Sequence, residues 1–464
     1  MSNNIAVKNT ETEHTLANFY KSFAYLALPM IGQQFINTLL NFADSIMVGQ
    51  LGEVSIAAVG FANKLFFIFI LTAFGACGGI GVFMAQYYGK KDYYTLQKLF
   101  AIMVMSSLIV GAAFLIIAYF FATNFIALFS IDTKVIGQGS SYLKIISFSY
   151  PLTAFSLAIT MSLRSMGLTK QALYITIIAT GINIVLNYLL IYGHGGFPKM
   201  GVNGAAWATL FARGVETLCF IYLFFRYGYG LRTKIKNYFG LKKDIIISII
   251  KVSTPIVFTE FLWVLGTTLL GLAYAKLGTT AAVSVQISDI LVSLSSIIFM
   301  GLANAASIFI GQTLGKNDIP LAIAMSKKII KMAFWGALFC ALLSFTVIDL
   351  ILSLYKLSAE AREMTRRVLI VMAIAIFFKL MNWCFIIGIL RAGGDTKIAF
   401  LLDVVLLGFF AIPIAFLGSM VFKLDIHYIV ALANIEEVLK LILVIWRYRT
   451  KKWIHNLTGA TPAH

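Results

Sequence analysis

The sequence predicts an all-α polytopic membrane protein of about twelve transmembrane helices, arranged as two homologous six-helix bundles. Three observations carry this: apolar runs of spanning length along nearly the whole chain, positive charge confined to alternate connections, and an internal repeat of about 226 residues. Of the 464 residues, 60% are hydrophobic and 12% charged, about half the charged share of an ordinary soluble domain. Runs of 20 or more apolar residues recur, each long enough to cross a hydrocarbon core of about 30 Å.

The elements follow in order. Spans are expected at 22–48, 56–86, 99–122, 140–163, 170–192 and 203–225, then at 245–275, 283–313, 328–352, 364–390, 398–419 and 427–446. The first 20 residues are polar and include Lys8, Glu11 and Glu13. They lack the basic start and short apolar core of a cleavable signal, so they read as a cytoplasmic tail. The organisation expected is a tail over 1–21, an amino-terminal lobe over 22–225, a cytoplasmic linker over 226–244, a carboxyl-terminal lobe over 245–446 and a tail over 447–464. The linker is rich in Lys, Arg and Tyr and has an amphipathic character.

A net charge of +18 would suit nucleic acid only if it were gathered in a patch. It instead follows the even-numbered connections and the tail, with Lys90, Lys91, Arg164, Lys170, Lys316 and Arg391 among its members. Under the positive-inside rule both termini of a multi-pass membrane protein are expected in the cytoplasm, and no nucleic-acid partner is expected. The four cysteines lie in apolar runs without CxxC or Cys/His spacing, as buried small hydrophobes would. The five histidines sit outside the spans or at their edges, and no GxxxxGK[ST] occurs. Both facts argue against an intramembrane enzyme and against nucleotide hydrolysis. An ion channel would need rings of like groups or oligomeric symmetry around a filter; a monomer is expected here.

The repeat is read from three landmarks in the same order. Pro29 and Pro255, and Leu51-Gly52 and Leu277-Gly278, are each 226 apart. AQYYGKKD at the end of the second span matches GQTLGKND at the end of the eighth, and LRSMGLTK after the fourth matches LRAGGDTK after the tenth. At the 226 spacing Gln34 stands opposite Glu260. Six spans per half is an even number, so both halves enter the membrane in the same orientation, related by an axis along its normal. Two such bundles are expected to face each other across a cavity.

These landmarks, with FADSIMVGQLG at 42–52, INIVLNYLLIYG at 182–193, GVNGAAWATLFAR at 201–213 and GILRAGGDTK at 388–397, resemble the multidrug and toxic compound extrusion (MATE) family, in particular its NorM-type bacterial branch. The resemblance covers essentially the whole chain. It implies a MATE-like V-shaped fold of two six-helix lobes and secondary active efflux of cationic or amphipathic small molecules against Na⁺ or H⁺, with no other cofactor. The alternative is a flippase for lipids or lipid-linked oligosaccharides, which would line its cleft with Arg or Lys; here the basic residues concentrate in loops.

A carboxylate inside the bilayer is costly and therefore a functional candidate. Asp44 in the first span is the foremost: ionised, it could hold Na⁺ with other oxygens, and protonated it could carry H⁺. The plainer alternative is an Asp at a helix end reaching the outer interface. Asn183 and Asn187 in the fifth span are four residues apart and so share a face; their amide oxygens suit a hard cation, or they glue helices together. The resemblance maps the NorM-type amino-terminal cation site, an Asp of the first span and two Asn of the fifth, onto Asp44, Asn183 and Asn187. The family's archaeal branch has an Asp where this chain has Asn187, leaving Asp44 as the sole strong acid.

In the second half, Glu260 lies five residues after Pro255, whose missing N–H can bend the helix and free a carbonyl. It is expected to meet the cleft as a substrate or second proton site, in a group with Gln34, Asp289 and Asn382. Family members carry their seventh-span Glu about one turn later, where this chain has Val264, and a coupling Asp of the tenth span corresponds to Asn382. Lys64, Glu216, Lys379, Asp403, Glu436 and Glu437 are the remaining intramembrane charges considered, expected to pair within a lobe; Lys64 and Asp289 stand at nearly equivalent points of the two halves.

Overall fold

In lipid every backbone N–H and C=O must be satisfied within the chain, and a long helix does this alone. The structure, a computed structural model, describes residues 18–355 and 357–459. Among the described residues nine helices are long and apolar enough to cross a membrane, and Thr133–Ser147 with Ser149–Ser165 forms a tenth crossing bent by 46°. Two more helices have crossing length but a more polar make-up. Phe19–Gly49 carries Gln33, Gln34, Asn37, Asn41 and Asp44, and Ile426–Arg449 carries Glu436, Glu437 and Lys440.

The crossings are, in order, Phe19–Gly49, Glu53–Gly89, Tyr93–Phe120, the bent fourth span, Thr169–Tyr192 and Val202–Tyr227. Lys243–Ala275, Thr279–Gly315, Ile319–Thr346, Ala359–Leu390, Thr396–Val421 and Ile426–Arg449 follow as the seventh to twelfth. The helices generally extend beyond the apolar runs. The bend in the fourth falls at Phe148, three residues before Pro151, which cannot donate to the preceding turn. Wide π turns occur at Cys384–Leu390, Leu407–Ala411 and Leu417–Val421, so the tenth span is irregular in one stretch and the eleventh in two. Between Tyr227 and Lys243 there is no amphipathic helix; the only helical piece is one 3₁₀ turn at Ile235–Tyr238. This connection is fastened by Gln97 Nε2 donating to Gly230 O and Lys98 Nζ donating to Gly240 O, both at 2.9 Å.

The sequence landmarks are backbone devices used twice. Gly52 and Gly278 precede the second and eighth helices with φ of 99° and 109°, a region that only glycine enters freely. Lys91 and Asn317 adopt left-handed φ of 63° and 60°. The next residue in each case caps the following helix, Asp92 accepting from Thr95 N and Asp318 from Leu321 N, both at 3.0 Å. Gly167 and Gly394 share a φ of 81°.

The chain divides into two compact units. One is Leu28–Val257; the other takes the start of the first helix as far as Ala27 together with everything from Phe258. Both changes of unit fall within two or three residues of the repeat prolines, Pro29 and Pro255. The first unit packs around Phe69, Leu143, Tyr150 and Ala154, with the Phe69 and Tyr150 rings stacked at 4.8 Å. Within it the second and seventh helices touch through glycines: a Cβ on Gly75 would lie 2.8 Å from Val257 Cα, and one on Gly79 would overlap Ser253. The second unit has a core of Tyr274, Val368, Met372, Ile429 and Val430.

Candidate cation site and buried ion pairs

Asp44, Asn183 and Asn187 come together in the first unit. Asn187 Nδ2 donates to Asp44 Oδ1 at 2.6 Å and to Asn183 Oδ1 at 2.9 Å. Asn183 Nδ2 in turn donates to Thr209 Oγ1 of the sixth span at 3.2 Å. The two asparagines are buried, at 2% and 1% exposure, so the array lies inside the unit. Asn187 Oδ1 is buried without a hydrogen-bond partner, and an orphaned oxygen there is costly. A carboxylate, two amide oxygens and a hydroxyl form a donor set suited to a hard monovalent cation.

The array adjoins a small polar cavity of about 10 Å³, lined by Asn37, Thr176, Thr180, Asn183, Arg213 and Glu216 with three apolar neighbours. Arg213 Nη1 and Glu216 Oε2 form an ion pair at 2.6 Å across one turn of the sixth span. Thr209, Arg213 and Glu216 follow at intervals of four and three, hence on one helix face. Thr209 and Arg213 escaped the sequence reading although both lie in the GVNGAAWATLFAR motif; their spacing was the available signal.

Gln34 is half-buried, and its neighbour Gln33 is the residue engaged: Arg164 Nη2 donates to Gln33 Oε1, and Gln33 Nε2 to Thr176 Oγ1 at 2.9 Å. In the second unit Arg391 Nη1 donates to Glu260 Oε1 at 2.9 Å, the side chains 9% and 17% exposed. Both pairs are 131 residues apart in sequence. The repeat therefore equates Gln33 with Glu260, at the same offset that relates Arg164 to Arg391. A one-residue slip turns a helical side chain by about 100°, so at this point of the repeat the equivalent of Glu260 is Gln33, and Gln34 presents a neighbouring face.

The other second-unit candidates enter a buried charge cluster. Lys440 Nζ lies 2.7 Å from Glu436, 3.3 Å from Asp403 and 3.6 Å from Glu437. Asn382 Nδ2 donates to Glu437 Oε2 at 2.8 Å and to its backbone carbonyl at 2.9 Å, and Asn382 Oδ1 is buried without a partner. Asp289 lies within electrostatic reach of Lys379. The sequence reading passed over Lys440, which sits three and four residues after the two glutamates. Lys64 rests over the Phe129 ring at 4.5 Å and near that of Phe61.

Spanning helices with buried, charge-paired side chains and a duplicated architecture define a multi-pass membrane protein, and its family match makes it a transport protein. The chain belongs to the MatE family, whose model matches residues 29–189 and again 255–417. It is 23% identical over 417 residues to the probable multidrug resistance protein YoeA of Bacillus subtilis, covering 88% of each chain. To a probable multidrug resistance protein NorM of Streptococcus pneumoniae it is 27% identical, over 85% of this chain and 86% of that one. Its fold matches that of a MOP superfamily transporter from Pyrococcus furiosus with a TM-score of 0.84 at 19% identity, covering 93% and 96% of the two chains. An outward-facing multidrug resistance MATE family transporter matches with the same TM-score at 20% identity, over 93% and 96%.

Proposed function

We propose that the protein is a secondary active exporter of cationic or amphipathic small molecules, driven by Na⁺ or H⁺ entering through Asp44, in the NorM-type manner. The observation that carries this reading is the chain of hydrogen bonds from Asp44 through Asn187 to Asn183, with a buried amide oxygen left over. An acid held in this way has a use for an arriving cation: it supplies the charge, and the neutral oxygens complete a shell. Occupation of the site must favour one conformation over the other if it is to drive release, because a ligand shifts an equilibrium only by its differential affinity. In this reading the protein works as a monomer in a bacterial inner membrane, with both termini cytoplasmic and with lobes at 22–225 and 245–446 joined by the 226–244 linker. Glu260, Gln34, Asp289 and Asn382 are the residues proposed for substrate or for a second proton.

A lipid-type substrate would call for basic residues free to meet phosphate. Arg213, Arg391, Lys440 and Arg447 are each engaged by carboxylates, which favours the cationic substrate. The test is efflux of ethidium from proteoliposomes holding the purified protein, with inward Na⁺ and H⁺ gradients imposed separately. Gradient-driven efflux that is lost in Asp44→Asn is expected; transport driven by neither gradient would reject the reading.

A further inference from the structure

The cavity beside Asp44 contains a positive charge that a cation-binding site would not be expected to tolerate. Arg213 lines the same cavity as Asn183, which is joined to Asp44 through Asn187, and its guanidinium lies within electrostatic reach of Asp44. Arginine stays protonated in proteins, so this charge cannot be shed. Its pair with Glu216 uses one nitrogen, Nη1, out of a planar fork carrying five N–H donors. Around Asp44 stand Asn187 and Asn183 from the fifth span, Tyr142 from the fourth and Arg213 from the sixth, and Arg213 is ion-paired with Glu216. Counted together, Asp44, Glu216 and the one guanidinium leave a single surplus negative charge, the amount a monovalent ion neutralises.

We propose that Arg213 is a tethered cation that competes with the transported ion for Asp44, with Glu216 as its alternative seat, so that this pair sets the ion concentration at which the site fills. The proposal rests on Asp44 being the ion site. With the ion bound, the attraction of Asp44 for Arg213 is cancelled and the guanidinium stays on Glu216. Once the ion leaves, Arg213 offsets part of the bare Asp44 charge, and an ionised acid without a partner inside the unit is avoided. Arg213 is in this sense a positioning residue for coupling, and it need not touch the exported molecule.

Removing one member of the pair, or both, gives opposite signs. In Glu216→Gln the guanidinium has Asp44 as its only acid, so the ion competes less well and the half-saturating concentration rises about tenfold. In Arg213→Met/Glu216→Gln the competitor is gone without stranding Glu216, Asp44 is left with the ion as its only counter-charge, and the same concentration falls about tenfold. A pair that only braces the sixth span moves neither value, or moves both in one direction through general loosening. Arg213→Lys keeps the charge and stays within about threefold of the parent.

The experiment uses the purified full chain and its intrinsic fluorescence, in which Trp207 is the one tryptophan of residues 28–257 and lies two residues before Thr209. NaCl is titrated at constant ionic strength and fixed pH, and pH is titrated in the absence of Na⁺, with Asp44→Asn as the blank. Opposite shifts of the two variants support the proposal. A parent response that persists in Asp44→Asn, or no response to either ion, overturns the ion site and the proposal with it. A response lost in Asp44→Asn but unmoved in Arg213→Met/Glu216→Gln overturns the competition alone, and that double variant settles the matter should Glu216→Gln not fold.

Discussion

Replacing Lys440 with Met should be among the most damaging single changes in the second unit. The Lys440 side chain is 6% exposed and its ammonium is shared by Glu436, Asp403 and Glu437 at 2.7, 3.3 and 3.6 Å. Glu437 also accepts from Asn382 Nδ2 at 2.8 Å, so the loss falls chiefly on Glu436 and Asp403. Breaking a buried pair by deleting one partner costs about 3–5 kcal/mol, because a charge is left behind without compensation. With two carboxylates affected, the upper end of that range, about 5 kcal/mol, is expected. At about 2–4 °C per kcal/mol for a unit of some 200 residues, the melting temperature should fall by roughly 10–20 °C. Met nearly matches the volume of the Lys stem, so a cavity contributes little. The assay is thermal unfolding of the purified protein in one detergent, followed by the exposure of Cys384, which is buried in this unit. Lys440→Met/Glu436→Gln should recover part of the loss, since one stranded charge is neutralised. A Lys440→Met protein melting within about 2 °C of the parent would refute the assignment of Lys440 as the common counter-ion.

Three further outcomes are expected. Arg391→Met should cost about 3–5 kcal/mol by leaving Glu260 alone, whereas Arg391→Met/Glu260→Met should cost under about 2 kcal/mol; the two unfolding measurements read out the difference. Gly79→Val should lower the melting temperature by overpacking the contact with Ser253, at a cost of about 1–3 kcal/mol or more. Arg366→Ala removes a pair with Asp349 whose side chains are 47% and 67% exposed, and the melting temperature should correspond to a change within about 0.5 kcal/mol.

Much of the fold was legible because lipid leaves a chain few options. Apolar length located the spans, and the repeat landmarks turned out to be glycines and caps at helix ends, features that local sequence dictates. The Asp44, Asn183 and Asn187 set was legible only in part: spacing puts the two asparagines on one helix face and a mid-span acid is rare, but that Asp44 meets them was implied by the family resemblance alone. Pairing across spans was not legible. Whether Arg164 meets Gln33 or Gln34, or whether Asp403 reaches Lys440, depends on how helices are rotated about their axes, and hydrophobic periodicity is weak when most faces are apolar. The first and twelfth helices show the converse: polar residues that dilute their hydropathy are the ones that form the buried networks.

If ion and substrate exchange through Asp44, an outward substrate gradient alone must draw the ion inward. Proteoliposomes containing the purified protein are loaded with ethidium, and ion uptake driven only by the outward ethidium gradient is measured with a Na⁺ or a pH indicator. Ethidium-dependent uptake of one ion is expected in the parent and none in Asp44→Asn, in a variant that remains folded. Equal ion uptake in both proteins would contradict it.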